Sequence, residues 1–153
     1  MDHKPTIELK LLRPEIFSSI PSYGSEGAAA VDLRAAIKSP LVLEPGACEL
    51  VPTGLAVHIA DSKLAGIILP RSGLGHKKGL VLGNTLGLID SDYQGELMVS
   101  CWNRAKASIE ITPLMRFAQF VIVPVVQVKF VAVERFSDKS ARSEGGFGHT
   151  GVN

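Results

Sequence analysis

The chain has 153 residues, of which 46% are hydrophobic, 20% charged and 6% aromatic, a length that suits one domain with a single core. Sixteen Lys+Arg against fifteen Asp+Glu leave a formal charge of +1, which argues against polynucleotides and acidic membrane surfaces as partners. Cys48 and Cys101 make neither a disulfide framework nor a zinc quartet. No apolar run reaches the roughly 20 residues that span a bilayer, and the opening MDHKPTIELK lacks the basic-then-apolar pattern of a signal peptide. The expectation is a soluble protein of a reducing, cytoplasmic compartment. Its mean hydropathy of +0.23 leaves little polar surface for a small globule, so some apolar surface is expected to meet another subunit.

Taken in chain order, residues 7–11 (IELKL) alternate as a half-buried strand does. Glu44-Pro45-Gly46 is turn chemistry, and alternation resumes over residues 50–59 around a Pro-Thr-Gly interruption. Asp61 to Leu64 reads as a turn of helix, and Ser72 as the cap of another short one. Tyr93-Gln94-Gly95 is a turn, followed by strands over residues 96–102 and 109–111. Residues 120–126 (FVIVPVV) read as a strand buried on both faces, and residues 128–133 (VKFVAV) as the strand that closes the series. No stretch sustains helical periodicity, so the pattern predicts an all-β sandwich, jelly roll or barrel over residues 1–137. Residues 138–153 turn polar and then Gly-rich. They bury too little apolar area to offset their ordering entropy, and are expected to form a flexible arm.

Three segments carry chemistry. Residues 69–79 (LPRSGLGHKKG) place a guanidinium, a hydroxyl and unhindered glycine amides together. That combination suits a phosphate, and it equally describes a flexible basic loop; the Walker A spacing is absent. Residues 83–97 (GNTLGLIDSDYQGEL) bring an amide, carboxylates and an aromatic into one hairpin, as a small polar ligand requires, although each alone is an ordinary turn residue. In the arm, Phe147 flanked by glycines has no core to join; it is either incidental or stacks on a flat ligand, with Arg142 near enough in sequence to add an anion contact.

In this order the segments resemble one family, the trimeric dUTP pyrophosphatases (dUTPases). The resemblance runs from about residue 7 to residue 151 and rests on five blocks: VDLRA from Val31, PRSGLG from Pro70, GLIDSDYQG from Gly87, RFAQ from Arg116 and RSEGGFG from Arg142. Ala30 stands where the family usually has glycine, and Pro113-Leu114-Met115 replaces the usual Pro-Gly-Glu. Leu114 takes positive φ less cheaply than glycine, which puts the geometry of that turn in question.

The resemblance implies a jelly-roll-like β barrel, a homotrimer whose subunits share three active sites, and Mg²⁺-assisted hydrolysis of dUTP to dUMP and pyrophosphate by water attack at the α-phosphorus. It implies Asp90 as the general base, and Arg71, Ser72, Gly73 and Gln119 as phosphate contacts. Arg142 and Gly148 of the arm would close over the outer phosphates, and Phe147 would stack on uracil. Asp32 would touch Mg²⁺ through water, the ion being held mainly by substrate phosphates; as a strand-end acid beside Arg34 it also has a purely structural reading. Asn84 and the backbone from Gly87 to Met98 would match the uracil edge, and Tyr93 would crowd a 2′-hydroxyl. Arg116 either touches phosphate or braces the fold by pairing with a carboxylate. Apart from the resemblance, His76, Lys77 and Lys78 read as a solvated basic rim or as charges that steer the anion toward the site. A dCTP deaminase of the same fold and a non-catalytic dUTP-binding sensor are the rival readings, the first disfavoured by the hairpin and the Gly-Gly-Phe-Gly arm.

Overall fold

The computed structural model describes residues 4–138, 140, 143 and 144. Arg142, Phe147 and Gly148, and with them most of the expected arm, lie outside the described residues. Among the described residues the chain forms ten strands: β1 (Glu8–Leu11), β2 (Val31–Arg34), β3 (Leu41–Leu43), β4 (Cys48–His58), β5 (Leu64–Pro70), β6 (Leu80–Leu82), β7 (Gly87–Ile89), β8 (Glu96–Asn103), β9 (Ile109–Ile111) and β10 (Arg116–Pro124). The expected short helix is one wide turn, α1 (Leu74–Lys78), and it starts at Gly73 without a side-chain cap, so Ser72 does not play the capping role expected of it. Among the described residues no helix is long and apolar enough to cross a membrane.

The strands make two four-stranded antiparallel sheets, β1-β4-β8-β6 and β2-β10-β5-β7, and a two-stranded β3-β9 ribbon. Sheet neighbours far apart in sequence give the jelly-roll-like all-β architecture expected. Period-2 alternation explains the layering. In β8, Leu97, Val99, Cys101 and Asn103 point inward, while Met98 and Trp102 point out. Val51, Leu55, Leu97 and Val99 of one sheet meet Leu33, Ile68, Phe117 and Ala118 of the other in a single core. Each large aliphatic buried there contributes about 1.5–3 kcal/mol. Burial in that core also pushes the Cys101 thiol up to about 12.

Two buried polar residues are fully used. Thr53 Oγ1 donates to the Leu97 carbonyl at 2.7 Å, and Asn103 Nδ2 donates to the carbonyls of Leu43 and Ala107 at 2.8 and 2.9 Å. Asn103 therefore ties the β8–β9 connection to β3 from inside the core.

Two strand expectations are corrected. Residues 120–126 are not buried on both faces: β10 ends at Pro124, its second half is half-buried, and Val126 is exposed. Residues 128–133 form no strand in the chain, and Val128, Phe130, Val131 and Val133 are exposed. Their alternation has no ladder to join within one copy.

The departure at Leu114 has a measurable cost. Thr112 to Met115 forms a tight turn closed by the Met115 amide donating to the Thr112 carbonyl at 3.1 Å, with Pro113 leading it and Leu114 at φ +62°. The turn is stitched to the end of β2, because the Leu114 amide donates to the Ala35 carbonyl (2.8 Å) and Arg34 Nη1 donates to the Leu114 carbonyl (3.0 Å). A left-handed non-glycine residue costs about 1–2 kcal/mol, against about 0.5–1 kcal/mol of extra unfolded-state entropy for glycine. Leu114→Gly is therefore expected to stabilise the fold by roughly 0.5–1 kcal/mol, seen as a higher urea midpoint at unchanged slope. A lower midpoint would mean that the half-buried leucine side chain contributes more than its backbone strain costs.

Candidate active site

The first half of the site forms where β5 ends. Gln119 of β10 pairs with Asp32 of β2 on one side and Leu69 of β5 on the other. Residues directly opposite in a ladder share a face, so Asp32 and Gln119 project together. Gln119 Nε2 donates to the Pro70 carbonyl at 2.9 Å and fixes the exit of β5 into the 71–79 loop. Arg71 turns back across β10. Its Nε meets Asp32 Oδ1 at 3.0 Å, and its Nη1 donates to the Arg116 carbonyl at 3.1 Å. Arg116 Nη1 reaches Asp32 Oδ2 at 3.4 Å. One half-exposed carboxylate thus holds two guanidinia in place. The carboxylate partner expected for a bracing Arg116 is Asp32 itself, whereas Arg34 serves the Leu114 turn instead.

These groups border a cleft of about 410 Å³ that Ser72, Gly73, Leu74, Lys77 and Lys78 complete. Arg71, Lys77 and Lys78 on its walls, with Arg116 behind Asp32, set four basic side chains against one carboxylate. A Cβ built on Gly73 would meet nothing within 4 Å, so the loop backbone stays open to an approaching group. Positive charge with exposed donors in a concave setting is suited to a polyphosphate.

The second half is the segment from β7 to β8, where the sequence predicts a paired hairpin; the two strands instead join different sheets, and what remains of the hairpin is its tight turn at Asp90 to Tyr93. β7 edges one sheet and β8 lies within the other, so the segment splays between them. Its tip is closed by the Tyr93 amide donating to the Asp90 carbonyl at 3.2 Å, and its flank by the Ala60 amide donating to the Ser91 carbonyl at 2.9 Å. Asp90 and Asn84 are exposed, while Tyr93 and Met98 keep about two-fifths of their surface in solvent. Tyr93 Oη donates to the Glu96 carbonyl at 2.9 Å. The tyrosine ring lies where a Cβ on residue 95 would be, which makes Gly95 a steric requirement. Glu96 in turn accepts from Arg13 Nε and Nη2 at 3.0 and 3.1 Å and from the Gly54 amide at 2.9 Å. These donors, Arg13 foremost, hold its carboxyl below the usual value.

Among the expected site residues, the structure brings together Asp32, Arg71, Ser72, Gly73 and Gln119. It places Asn84, Gly87, Asp90, Tyr93 and Met98 on or beside the hairpin. It does not bring Asp90 to the cradle, although Gly87, paired with Ile68, lies nearer the end of β5. Ile89 pairs with Gly66 near the start of β5, whereas Arg71 follows its end. At about 3.3 Å per residue, Asp90 and Arg71 are roughly 15–20 Å apart along the strand. Asp32 lies a further three strands across. His76, Lys77 and Lys78 are exposed, as a basic rim would be.

Among the described residues there is no cluster of three His, Cys, Asp or Glu to hold a metal. Asp32 is the one carboxylate among the described residues that line the cleft, which fits Mg²⁺ where phosphate oxygens and water supply most of the ligands. Sequence reasoning passed over Arg13 and gave Glu96 no role. The one available signal was a carboxylate directly after the hairpin glycine, on the same strand face as Met98.

The chain is similar to known proteins along nearly its whole length. A family model described as dUTPase matches residues 18–151. The chain is 66% identical to the deoxyuridine 5'-triphosphate nucleotidohydrolase of Francisella philomiragia and 64% identical to that of Francisella tularensis subsp. novicida. Each match covers 95% of this chain and 99% of the relative. Among solved structures, the Staphylococcus bacteriophage 80alpha dUTPase with dUpNHpp superposes with a TM-score of 0.88 at 28% identity, covering 97% of this chain and all of that one. A variant dUTPase of phage phi11, whose structure details the coordination of a structural Mg(II) ion, superposes at 0.77 and 26% identity, covering 87% of this chain and 99% of that one.

Proposed function

Because this chain belongs to the dUTPase family, we propose that it hydrolyses dUTP to dUMP and pyrophosphate at sites that each combine the cradle of one subunit with the hairpin of another. The observation that carries this reading is the register of β5 and β7, which sets Asp90 roughly 15–20 Å along the strand from Arg71 and so splits two complementary half-sites. One half is cationic and shaped for phosphates; the other carries a carboxylate and an aromatic but few charges to hold a triphosphate. A copy related by closed rotational symmetry supplies the missing half to each, and a homotrimer does so three times. The exposed apolar run after β10 supports such an assembly: Val126, Phe130 and Phe136 are 86, 90 and 86% exposed, more apolar surface than a monomer keeps in water.

At the composite site Arg71, Ser72, Gly73 and Gln119 hold the phosphate chain, and Arg116 steadies Asp32. Magnesium, when bound, neutralises phosphate charge, and Asp32 would hold it through water. Asp90 orients a water toward the α-phosphorus and accepts its proton, the part a positioned carboxylate plays in general base catalysis. Most of the barrier lowering then comes from positioning and charge neutralisation. Asn84 and backbone groups from Gly87 to Met98 read the uracil edge. Tyr93 is the wall against which the deoxyribose packs. Arg142, Phe147 and Gly148 close the site from the arm. The unpaired thiols of Cys48 and Cys101 are in keeping with a reducing cytoplasm. There, such an enzyme limits uracil in DNA and supplies dUMP for dTMP synthesis.

Pyrophosphate release with Mg²⁺ from dUTP, dCTP, dTTP and UTP, measured side by side, tests this. Turnover is expected with dUTP, abolished by EDTA, and lower by at least about 10²-fold with the other three. Ammonia from dCTP, or tight dUTP binding without turnover, would overturn it in favour of a deaminase or a sensor.

A further inference from the structure

We propose that the Arg13–Glu96 ion pair is a positioning device for Tyr93, and so sets how strictly the site refuses a ribonucleotide. The inference rests on the reading of Tyr93 as the sugar wall.

Tyr93 is the only hairpin-tip side chain among the described residues with a hydrogen bond back to β8, and its acceptor is the carbonyl of Glu96. The same residue's carboxylate is one of the most heavily bonded groups in the chain. Arg13 grips it through two nitrogens, and the Gly54 amide adds a third donor. Two parallel bonds from a planar guanidinium fix orientation as well as distance. Side-chain and main-chain oxygens of a single residue therefore anchor this segment, the first to Arg13 and Gly54 and the second to Tyr93.

Both donors are themselves held. The Leu12 amide donates to the Gly54 carbonyl at 2.8 Å, and the Arg13 carbonyl accepts the amides of Ile16 and Phe17 at 2.9 Å. Gly54 sits at φ +71° in an irregularity of β4, where the pairing with β8 shifts between Pro52 and Ala56. The displaced strand turns the Gly54 amide toward Glu96 instead of into the ladder. A Cβ at this position would lie 3.0 Å from that of Ala36. A bulge, a strap and an ion pair thus converge on the foot of the hairpin. An ordinary surface ion pair contributes little to stability, and this network is more elaborate than such a role needs.

Asp90 has an anchor outside this network. Its own carbonyl accepts the Tyr93 amide, but the carbonyl of its neighbour Ser91 accepts the Ala60 amide, which does not involve Tyr93, Glu96 or Arg13. Loss of the ion pair therefore acts on the tyrosine ring more than on the base, and the signature is a change in sugar selection without an equal change in turnover.

Steady-state kinetics with dUTP and UTP, with thermal midpoints alongside, test the idea on the intact enzyme and on Arg13→Ala, Arg13→Lys, Glu96→Gln and Tyr93→Ala. Arg13→Ala is expected to raise KM for dUTP about 3–10-fold with kcat within twofold, and to lower the dUTP-over-UTP preference about tenfold. Glu96→Gln and Arg13→Lys, which keep length and part of the hydrogen bonding, are expected to fall between it and the unmodified enzyme, and they carry the test should Arg13→Ala fail to fold. Lower thermal midpoints with the sugar preference intact in the pair variants would make the network a structural brace and overturn the proposal. Tyr93→Ala separates the two levels. If it relaxes the preference and the pair variants do not, the positioning role alone fails. If it leaves the preference intact, the reading of Tyr93 fails and the proposal with it.

Discussion

Asp90→Asn is expected to lower kcat for dUTP by about 10²–10⁴-fold, the contribution typical of a positioned proton acceptor, while affinity for a non-hydrolysable dUTP analogue stays within about threefold. The asparagine amide occupies the same volume but cannot take a proton from water. Among the described residues no hydrogen bond or ion pair uses the carboxylate: Asp90 is exposed, and its part in closing the turn is played by its carbonyl, which the substitution keeps. A structural cause for lost activity is thereby removed. Near-normal turnover would exclude Asp90 as the base. Lost turnover together with lost binding would make it a substrate contact instead.

Arg71→Ala is expected to cost at least about 10²-fold in kcat/KM. A hydrogen bond to a charged group is worth about 1.5–3 kcal/mol, and Arg71 presents several donors at the mouth of the cleft. Its removal also frees Asp32 Oδ1 from its 3.0 Å partner, leaving Arg116 at 3.4 Å as the remaining guanidinium on that carboxylate. Arg71→Lys is expected to recover little, because one ammonium cannot reach both Asp32 and the Arg116 carbonyl as the planar fork does. Substantial recovery by lysine would show that charge alone, without geometry, is what the cradle needs.

How much of this was readable in the sequence differs from element to element. The alternation of residues 96–102 mapped directly onto β8, because that strand has one core face and one outward face. Of the four three-residue strands only β9 was legible, as the alternating Ile109-Glu110-Ile111; β3, β6 and β7 stand out by pairing rather than by pattern. Residues 128–133 alternate as a strand does but find no ladder in one copy, since alternation reports a face to be covered and not which chain covers it. The PRSGLG loop and the GLIDSDYQG hairpin stood out by composition. That Asp32 gathers Arg71 and Arg116 did not, since it depends on a register joining residues 84 apart. Nor did the role of Arg13 and Glu96, 83 residues apart and brought together by a bulge at Gly54. Leu114 is the instructive exception: set against the resembled family, a leucine in place of the turn glycine was visible in advance, and its positive φ of +62° is present.

The two inactive variants together test the assembly of the site most directly. Arg71→Ala keeps an intact hairpin, and Asp90→Asn keeps an intact cradle. If each site draws on two subunits, unfolding the variants together and refolding them at equal amounts produces some sites that combine the intact half of each. For random trimers these are about one site in four, so the mixture is expected to regain roughly a quarter of normal dUTP turnover from two nearly silent parents. A mixture no more active than its parents, while mass measurement shows mixed trimers, would contradict the account: cradle and hairpin would then serve one another within a single chain.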